Sequence, residues 1–254
     1  RILFHEDVTG KEITSHLLDA VKKLKNVRMY EYTTLLDILC DGNKCCGGMI
    51  RWPDGREEQI EADYVILATG AIGGTYKHST NFKHLTGDGV EIAKRHNIEL
   101  KNLDYVQIHP TTLYSDDTEE RSFLISESVR GEGARLYDKN MNRFVDELLP
   151  RDLLTQEIYK QMEKDGTDFV WEDLRTIPRD ELINHFPNII EHCSQAGYDV
   201  FNECIPVVPA QHYFMGGIKV NHNSKTSMDH LYAVGETACN GVHGKNRLAS
   251  NSLL

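Results

Sequence analysis

The chain has 254 residues, of which 40% are hydrophobic and 26% are charged, proportions that are ordinary for a globular protein with a real core. Asp and Glu outnumber Lys and Arg by 39 to 28, giving a formal net charge of −11, which argues against nucleic acid as a partner. The apolar runs fall short of the roughly 20 residues that a membrane-spanning helix needs, and the first residues do not resemble a signal peptide. A cytoplasmic location without a membrane partner is therefore expected.

The cysteines give no sign of a metal site or of disulfide bonds. They are Cys40, Cys45, Cys46, Cys193, Cys204 and Cys239. Their spacing matches neither a zinc-binding pattern nor a disulfide framework. We therefore expect reduced, mostly structural thiols and no metal.

The first quarter of the chain predicts one helix and a small β-meander. Thr9 and Glu12 form a capping-box pattern, and apolar residues recur at helical spacing from Ile13 to Leu24, which indicates an amphipathic helix packed on a sheet. Turn signals such as Asp41-Gly42 then separate several short apolar segments. These predicted strands are residues 27–33, 35–40, 49–52 and 59–62.

Two later segments predict buried parallel strands. Val65 to Ala68 is followed by Thr69-Gly70, and Leu231 to Val234 is followed by Gly235-Glu236. An apolar strand that ends in glycine indicates a place where the backbone comes close to a ligand, and ligands of open α/β sheets bind at this edge.

A helix is predicted for residues 86–97. The region from about residue 104 to residue 211 then differs in character, with acidic loops and predicted helices at residues 151–164 and 179–190. We predict a mixed α/β and α+β fold in which a domain of residues 1–103 is interrupted by an inserted α+β domain of residues 104–211 and resumes at residues 212–254.

Seven short motifs carry a family resemblance. They are Tyr64–Gly70, Thr86–Gly89, Gln107–Thr111, Arg130–Gly133, Pro150–Asp152, Gln211–Gly217 and the run from Leu231 to Leu254. Each is weak alone, but in this order they resemble the succinate dehydrogenase, fumarate reductase and L-aspartate oxidase flavoprotein family. Within that family, Arg247–Leu254 and Phe123–Glu127 are more similar to the aspartate oxidases.

The resemblance implies a partial FAD-binding, Rossmann-like domain with an inserted capping domain. It further implies FAD-dependent oxidation of L-aspartate to iminoaspartate by hydride transfer to flavin, with oxygen or fumarate as electron acceptor. The expected partners are small dicarboxylates, namely L-aspartate, fumarate or succinate, and the product would feed quinolinate synthase and NAD biosynthesis.

The resemblance also implies roles for single residues in substrate binding. Arg247 suits a carboxylate because a guanidinium offers a planar fork of donors, although a lone arginine is more often part of a surface ion pair. The other substrate-binding candidates are His109, Ser126, Glu127 and His212. Arg151 is the catalytic candidate, with a dual role: it would bind the substrate in aspartate oxidation and supply a proton when fumarate is the acceptor.

Eight residues correspond to flavin-contact segments of the family. They are Ala68, Thr69, Gly70, Asp88, Glu236, Asn251, Ser252 and Leu253. Glu236 is the strongest candidate because a carboxylate at a strand end accepts hydrogen bonds from the hydroxyls of the ribityl chain. For Asp88, a charge that stabilises a helix N-terminus is an equally good interpretation.

The early Gly-x-Gly-x-x-Gly turn that binds the flavin pyrophosphate in this family does not occur in the sequence. We therefore expect the chain to be a piece of a longer protein that lacks this turn and a carboxy-terminal helical domain, and to bind FAD poorly by itself. Two alternatives remain open: a soluble fumarate reductase or succinate dehydrogenase flavoprotein, and a truncated chain that is not active as it stands.

Overall fold

The computed structural model describes residue 5, residues 8–117 and residues 119–253. Its helices are α1 Thr9–Lys22, α2 Asp88–Arg95, α3 Glu127–Gly131, α4 Arg151–Asp165, α5 Arg179–His185 and α6 Pro187–Gln195. Its strands are β1 Thr34–Asp41, β2 Lys44–Arg51, β3 Glu57–Glu61, β4 Val65–Leu67, β5 Leu100–Lys101, β6 Val106–Leu113, β7 Arg135–Tyr137, β8 Val170–Asp173, β9 Ile205–Phe214, β10 Gly217–Lys219, β11 Leu231–Ala233 and β12 Ala238–Cys239. The predicted mixed α/β fold is confirmed. Within the described residues, every helix is too short or too polar to cross a membrane.

The chain divides into two compact units. Unit 1 contains residues 1–29, 109–118 and 122–210, and unit 2 contains residues 30–108, 119–121 and 211–254. Strands β6 and β9 each begin in one unit and end in the other. The domain boundaries proposed from the sequence stay a prediction.

Unit 2 contains three small sheets and helix α2. Strands β1, β2 and β3 form an antiparallel meander, β4 pairs with β11 in parallel, and β10 lies between β5 and β12. Their apolar residues form one core with α2, in which Ile92 and Ala93 of the helix meet Leu67, Ile218 and Leu231 of the strands. The predicted meander is present.

Unit 1 is built on a sheet with the strand order β6-β9-β8-β7. Helices α3 to α6 cover it, and the core combines Leu136 and Ile205 of the sheet with Leu154 and Ile158 of α4 and Ile189 of α6. This core is separate from that of unit 2.

Three local predictions were wrong. Residues 27–33 form no strand, because Tyr32 adopts a left-handed conformation (φ 56°) that breaks an extended chain. The predicted helix 179–190 is two helices, α5 and α6, because Pro187 has no N–H to continue the first. Helix α1 is present but buries no residue, and Thr9 is its first helical residue rather than its cap.

Candidate active site

The parallel pair β4 and β11 places two of the predicted cofactor segments at one sheet edge in unit 2. Leu67 and Ala233, the last residues of the two strands, are register partners. One residue further, the N–H of Val234 donates to the carbonyl of Leu67 at 2.9 Å. Residues 68–70 and 234–236 therefore leave the sheet side by side.

Helix α2 packs its first turn against this edge. Gly89 is buried there, and a Cβ atom at this position would lie 2.1 Å from the hydroxyl oxygen of Thr69. The Thr69 hydroxyl in turn donates to the Thr237 hydroxyl at 3.0 Å. The edge thus combines polar side chains with a helix N-terminus, where backbone N–H groups favour anions.

Asp88 opens α2 and is exposed. Its Oδ1 accepts a hydrogen bond of 2.8 Å from the Thr86 hydroxyl, and its charge is favourable at the helix N-terminus. The helix-terminal interpretation is sufficient to explain this geometry. A contact between Asp88 and the cofactor stays a prediction.

Glu236 lies one residue beyond the exposed Gly235, just after β11. Its Oε1 accepts the N–H of Phe214 at 2.7 Å. Burial raises the pKa of this carboxyl to about 7, against the opposing effects of the Phe214 N–H and the positive charge of Arg247. Such a group can accept a hydrogen bond from a ligand hydroxyl when charged and donate one when protonated.

The Glu236 carboxyl and the open position at Gly235 fit the ribityl part of FAD. Gly70 (φ 71°) and Gly235 (φ 67°) both have left-handed backbones, and no heavy atom lies within 4 Å of a Cβ built on Gly235. A ligand can therefore approach the main chain closely beside Glu236.

The last predicted cofactor segment forms a turn near the end of the chain. Ser252 and Leu253 are exposed, and the N–H of Asn251 donates to the carbonyl of Leu248 at 3.3 Å. Leu254 lies outside the described residues. A role for Asn251, Ser252 and Leu253 in cofactor binding stays a prediction.

Arg247 is a buried cation of unit 2, with a relative exposure of 5%. Its guanidinium carbon lies 4.5 Å from the centroid of the Tyr213 ring, and its Nη1 donates to the carbonyl of Leu248 at 3.0 Å. The Gln107 amide donates to the Arg247 carbonyl and to the Asn246 side chain, both at 2.7 Å. The guanidinium is thus held on a tyrosine face by a loop that is itself fixed.

His212 precedes Tyr213 on β9 and is half-buried. Its Nδ1 lies 2.8 Å from the Thr80 hydroxyl. When Thr80 donates this hydrogen bond, Nε2 carries the ring proton. A role for His212 in substrate binding stays a prediction.

In unit 1, the predicted catalytic residue is paired with one of the predicted substrate-binding residues. Arg151 is the first residue of α4 and Glu127 is the first residue of α3. The Arg151 Nε donates to Glu127 Oε2 at 2.7 Å, and the arginine side chain is only 12% exposed. This ion pair connects the starts of the two helices.

Ser126 and His109 are held by local contacts in the same unit. The Ser126 hydroxyl caps α3 by accepting the N–H of Ser128 at 3.2 Å. His109 is buried, and its Nδ1 lies 2.9 Å from the carbonyl oxygen and 3.2 Å from the nitrogen of Thr111. These contacts engage Nδ1 in either tautomer. A role for His109 in substrate binding stays a prediction.

The structure adds residues that the sequence did not assign. Arg130, within the Arg-Gly-Glu-Gly motif, is buried and its Nη1 donates to the Thr111 hydroxyl, which itself donates to the carbonyl of Ile125 at 3.0 Å. Thr111 therefore connects His109 to the segment before α3. Gln107 and Tyr213 perform the corresponding supporting role for Arg247 in unit 2. Arg130, Gln107 and Tyr213 all lie inside motifs that carry the family resemblance, and this position is the signal by which the sequence could have pointed to them.

A family model and two related proteins match this chain. A family model described as FAD binding domain matches residues 3–253. The chain is 53% identical to an L-aspartate oxidase of Clostridium perfringens and 47% identical to that of Clostridium acetobutylicum, in each case over 100% of this chain and 58% of the relative. It thus spans little more than half the length of these relatives.

Among solved structures, a quinol fumarate reductase of E. coli superposes with a TM-score of 0.89 at 32% sequence identity, covering 100% of this chain and 47% of that chain. Because the family model matches nearly the whole sequence, the cofactor is FAD and the chain belongs to the FAD binding domain family.

Proposed function

We propose that the protein containing this chain oxidises L-aspartate to iminoaspartate. The substrate Cα would lose a hydride to bound FAD, and the electrons would then go to oxygen or to fumarate. The similarity to two L-aspartate oxidases at 53% and 47% identity supports this substrate. The residues of this chain would hold the two carboxylates and the amino group.

The buried guanidinium of Arg247 is the observation that carries the proposal. An arginine with 5% exposure on a tyrosine face is unlike a surface ion pair, because its desolvated charge gains from an anionic ligand. A carboxylate meets this requirement with two parallel hydrogen bonds. His212 would be the second donor of the same unit.

Unit 1 also contains groups that suit an amino-acid substrate. Ser126 and His109 are neutral or positive donors for a carboxylate, whereas Glu127 is an acceptor for the substrate ammonium group. Arg151, held at 2.7 Å by Glu127, would bind substrate in aspartate oxidation and supply a proton in fumarate reduction. An ammonium acceptor is needed for aspartate and not for succinate.

Fumarate reduction or succinate oxidation is the second candidate function. It is favoured by the TM-score of 0.89 with the E. coli quinol fumarate reductase. The two candidates share a diacid substrate and differ in the group on the reacting carbon.

The biological setting is part of the same proposal. Iminoaspartate would be passed to quinolinate synthase as a step of NAD biosynthesis. We propose a cytoplasmic enzyme, because the six cysteines are all unpaired in the structure, as is usual in a reducing compartment.

Anaerobic mixing of the full-length flavoprotein with L-aspartate or succinate tests the proposal. We expect aspartate to bleach the flavin absorbance and succinate to do so much more slowly. Bleaching by succinate alone would replace the proposal by its alternative. No bleaching by either would refute both.

A further inference from the structure

Cys40, His96 and Asp37 of unit 2 form a chain of side-chain contacts that the proposed function does not use. The Sγ of Cys40 lies 3.5 Å from Nδ1 of His96, and Nε2 of the same ring lies 2.7 Å from Oδ1 of Asp37. Cys40 and Asp37 belong to β1, whereas His96 directly follows α2. A nucleophile, a base and a carboxylate that orients the base are together the parts of an activated nucleophile.

Asp37 defines which nitrogen of His96 carries the proton. Burial opposes the charged form of this carboxyl, but the hydrogen bonds from His96 and from the Ile38 N–H lower its pKa overall. Asp37 is therefore a carboxylate at neutral pH, and it accepts the proton of His96 Nε2. In the neutral ring Nδ1 is then the acceptor for the Cys40 thiol. The sulfur of Met228, 3.7 Å from the Cys40 sulfur, is a weaker acceptor.

The Cys40 thiol needs such a base in order to react. Burial, together with the neighbouring thiols of Cys45 and Cys46, raises the pKa of Cys40 to about 11, so the sulfur keeps its proton at neutral pH. Because the thiolate is the nucleophile, the proton must leave as the sulfur reacts, and His96 can accept it. The ring lies at the C-terminal end of α2, where the helix dipole favours the imidazolium that forms.

A cavity in unit 2 gives a small reagent access to Cys40. Its volume is about 610 Å³, and its wall contains Cys40 and Cys46 together with the polar residues Lys44, Gln59 and Glu61. Cys40 is half-buried. The cavity has room for many molecules of the size of water, so a small polar reagent can reach this residue.

We infer that Cys40 is a site of oxidation by hydrogen peroxide, with His96 as its general base and Asp37 as the residue that orients His96. The Cys40 sulfur attacks one peroxide oxygen, and an S–O bond forms as the O–O bond breaks. The thiol proton moves to Nδ1 of His96 and from there to the departing hydroxide, which leaves as water. The sulfur is oxidised to a sulfenic acid, and the peroxide is reduced.

The proposed function offers a source of this oxidant. Two electrons and two protons reduce oxygen to hydrogen peroxide, so an enzyme that passes its electrons to oxygen produces the reagent that oxidises Cys40. Only this source rests on the proposed function, because the site itself is defined by contacts within unit 2.

Cys46 provides a comparison within the same protein. It is half-buried and lines the same cavity as Cys40. Among the described residues, the hydrogen bond between a histidine and a thiol belongs to Cys40 and not to Cys46. Access through the cavity alone would oxidise both thiols at similar rates, whereas a base at Cys40 makes this thiol react faster.

The test adds hydrogen peroxide to the full-length flavin-containing protein in the absence of substrate. The thiols that remain at each time are alkylated after denaturation and are counted by peptide mass spectrometry, so a sulfenic acid that later condenses with a second thiol is still counted as a loss. Wild type is compared with His96→Gln, Asp37→Asn and the matched control His84→Gln. His84 is an exposed histidine of unit 2 that stacks on Phe82.

We expect wild type to lose the Cys40 thiol at least about tenfold faster than the Cys46 thiol, because Cys40 has a general base. His96→Gln should slow the loss at Cys40 by about a hundredfold, the lower end of the effect of general acid–base catalysis, and should leave the loss at Cys46 unchanged. Asp37→Asn should slow the loss at Cys40 by a smaller factor, and His84→Gln should match wild type.

Equal rates of loss for Cys40 and Cys46 in wild type, or an unchanged rate at Cys40 in His96→Gln, would overturn the inference. Should His96→Gln fold poorly, Asp37→Asn and the comparison of the two wild-type thiols decide the question. A protein that does not oxidise aspartate would refute the proposed function and would leave the rates measured with added peroxide unaffected.

Discussion

In unit 2 the predicted cofactor residues are placed by the backbone, whereas in unit 1 the predicted substrate residues are held by hydrogen bonds of their side chains. Thr69, Gly70 and Glu236 follow two paired parallel strands. Glu127 and Arg151 are instead held by each other, and His109 by Thr111. Unit 2 should therefore be sensitive to added volume near the strand ends, and unit 1 to changes of charge.

Arg247 is the exception in unit 2, because a side-chain contact holds a buried charge there, and its removal has the largest expected effect. Arg247→Ala should weaken dicarboxylate binding by about 2–5 kcal/mol, the usual loss when a buried charge partner is removed. The dissociation constant of an unreactive dicarboxylate, measured by flavin absorbance changes in the full-length protein, checks this.

Arg56 offers a matched control for Arg247. It also lies over an aromatic ring, 5.4 Å from the Trp52 centroid, but its side chain is 60% exposed. Arg56→Ala should leave the affinity unchanged. Equal affinities for wild type and Arg247→Ala would remove Arg247 from the substrate site.

Added volume at Gly89 should disturb unit 2 strongly. A Cβ atom there would lie 2.1 Å from the Thr69 hydroxyl and 3.1 Å from that of Thr237. We expect Gly89→Ala to cost about 1–3 kcal/mol of stability, as overpacking does, and to reduce flavin content. Gly10→Ala in α1 is the control, because no heavy atom lies within 4 Å of its Cβ position. Equal urea midpoints for the two variants would contradict the tight packing of α2.

Arg151→Lys separates the two proposed roles of Arg151 in unit 1. Lysine keeps the positive charge but loses the guanidinium fork that Nε uses on Glu127. We expect kcat for fumarate reduction to fall by about a hundredfold, within the range of general acid catalysis, and KM for aspartate to rise less than about tenfold. Arg175→Lys, at another arginine–carboxylate pair of unit 1, is the control. Equal losses in both reactions would leave Arg151 with a binding role alone.

The sequence predicted the backbone-placed part of the site better than the part placed by side chains. The strand ends at Gly70 and Gly235 can be predicted from the sequence, because apolar runs and glycines are local signals. The contact between Arg130 and Thr111 spans 19 positions, and the pairing of Glu127 with Arg151 spans 24. No local pattern encodes such contacts, so Arg130 received no role from the sequence.

The same limit explains the errors in the fold. The apolar residues of α1 repeat at helical spacing, but periodicity does not reveal whether a partner surface covers them, and Leu17 is 62% exposed. The break between α5 and α6 could have been predicted from the sequence, because Pro187 lies at the junction.

A buried acid of unit 1, Glu147, and a half-buried acid of unit 2, Glu236, should show opposite pH effects on stability. Burial alone would raise the pKa of Glu147, but hydrogen bonds from Arg143 and the Leu136 N–H lower it overall. Its stabilisation is present above the ordinary value of 4.5 and is lost as pH falls. For Glu236, with a pKa raised to about 7 by burial, stability falls as pH rises from 4.5 to that value.

Glu147→Gln should therefore destabilise the protein by about 2 kcal/mol at neutral pH, from lost charged hydrogen bonds, and by less in acid. Glu236→Gln should gain stability relative to wild type as pH rises. Urea unfolding of the flavin-free protein at several pH values measures both. The prediction is contradicted if the difference in unfolding free energy between variant and wild type changes with pH in the same direction for both substitutions.

The smallest expected effect concerns Ser126, where a cap and a proposed substrate donor share one hydroxyl. Ser126→Ala removes the acceptor for the Ser128 N–H and should cost about 1 kcal/mol of stability, together with a modest rise in KM for aspartate. Ser126→Thr keeps the hydroxyl and should restore both properties, whereas Ser126→Asn should restore the cap more fully than the KM. Recovery of KM in step with stability in the asparagine variant would show that Ser126 acts only by starting α3, since its effect on substrate would then follow from the position of Glu127.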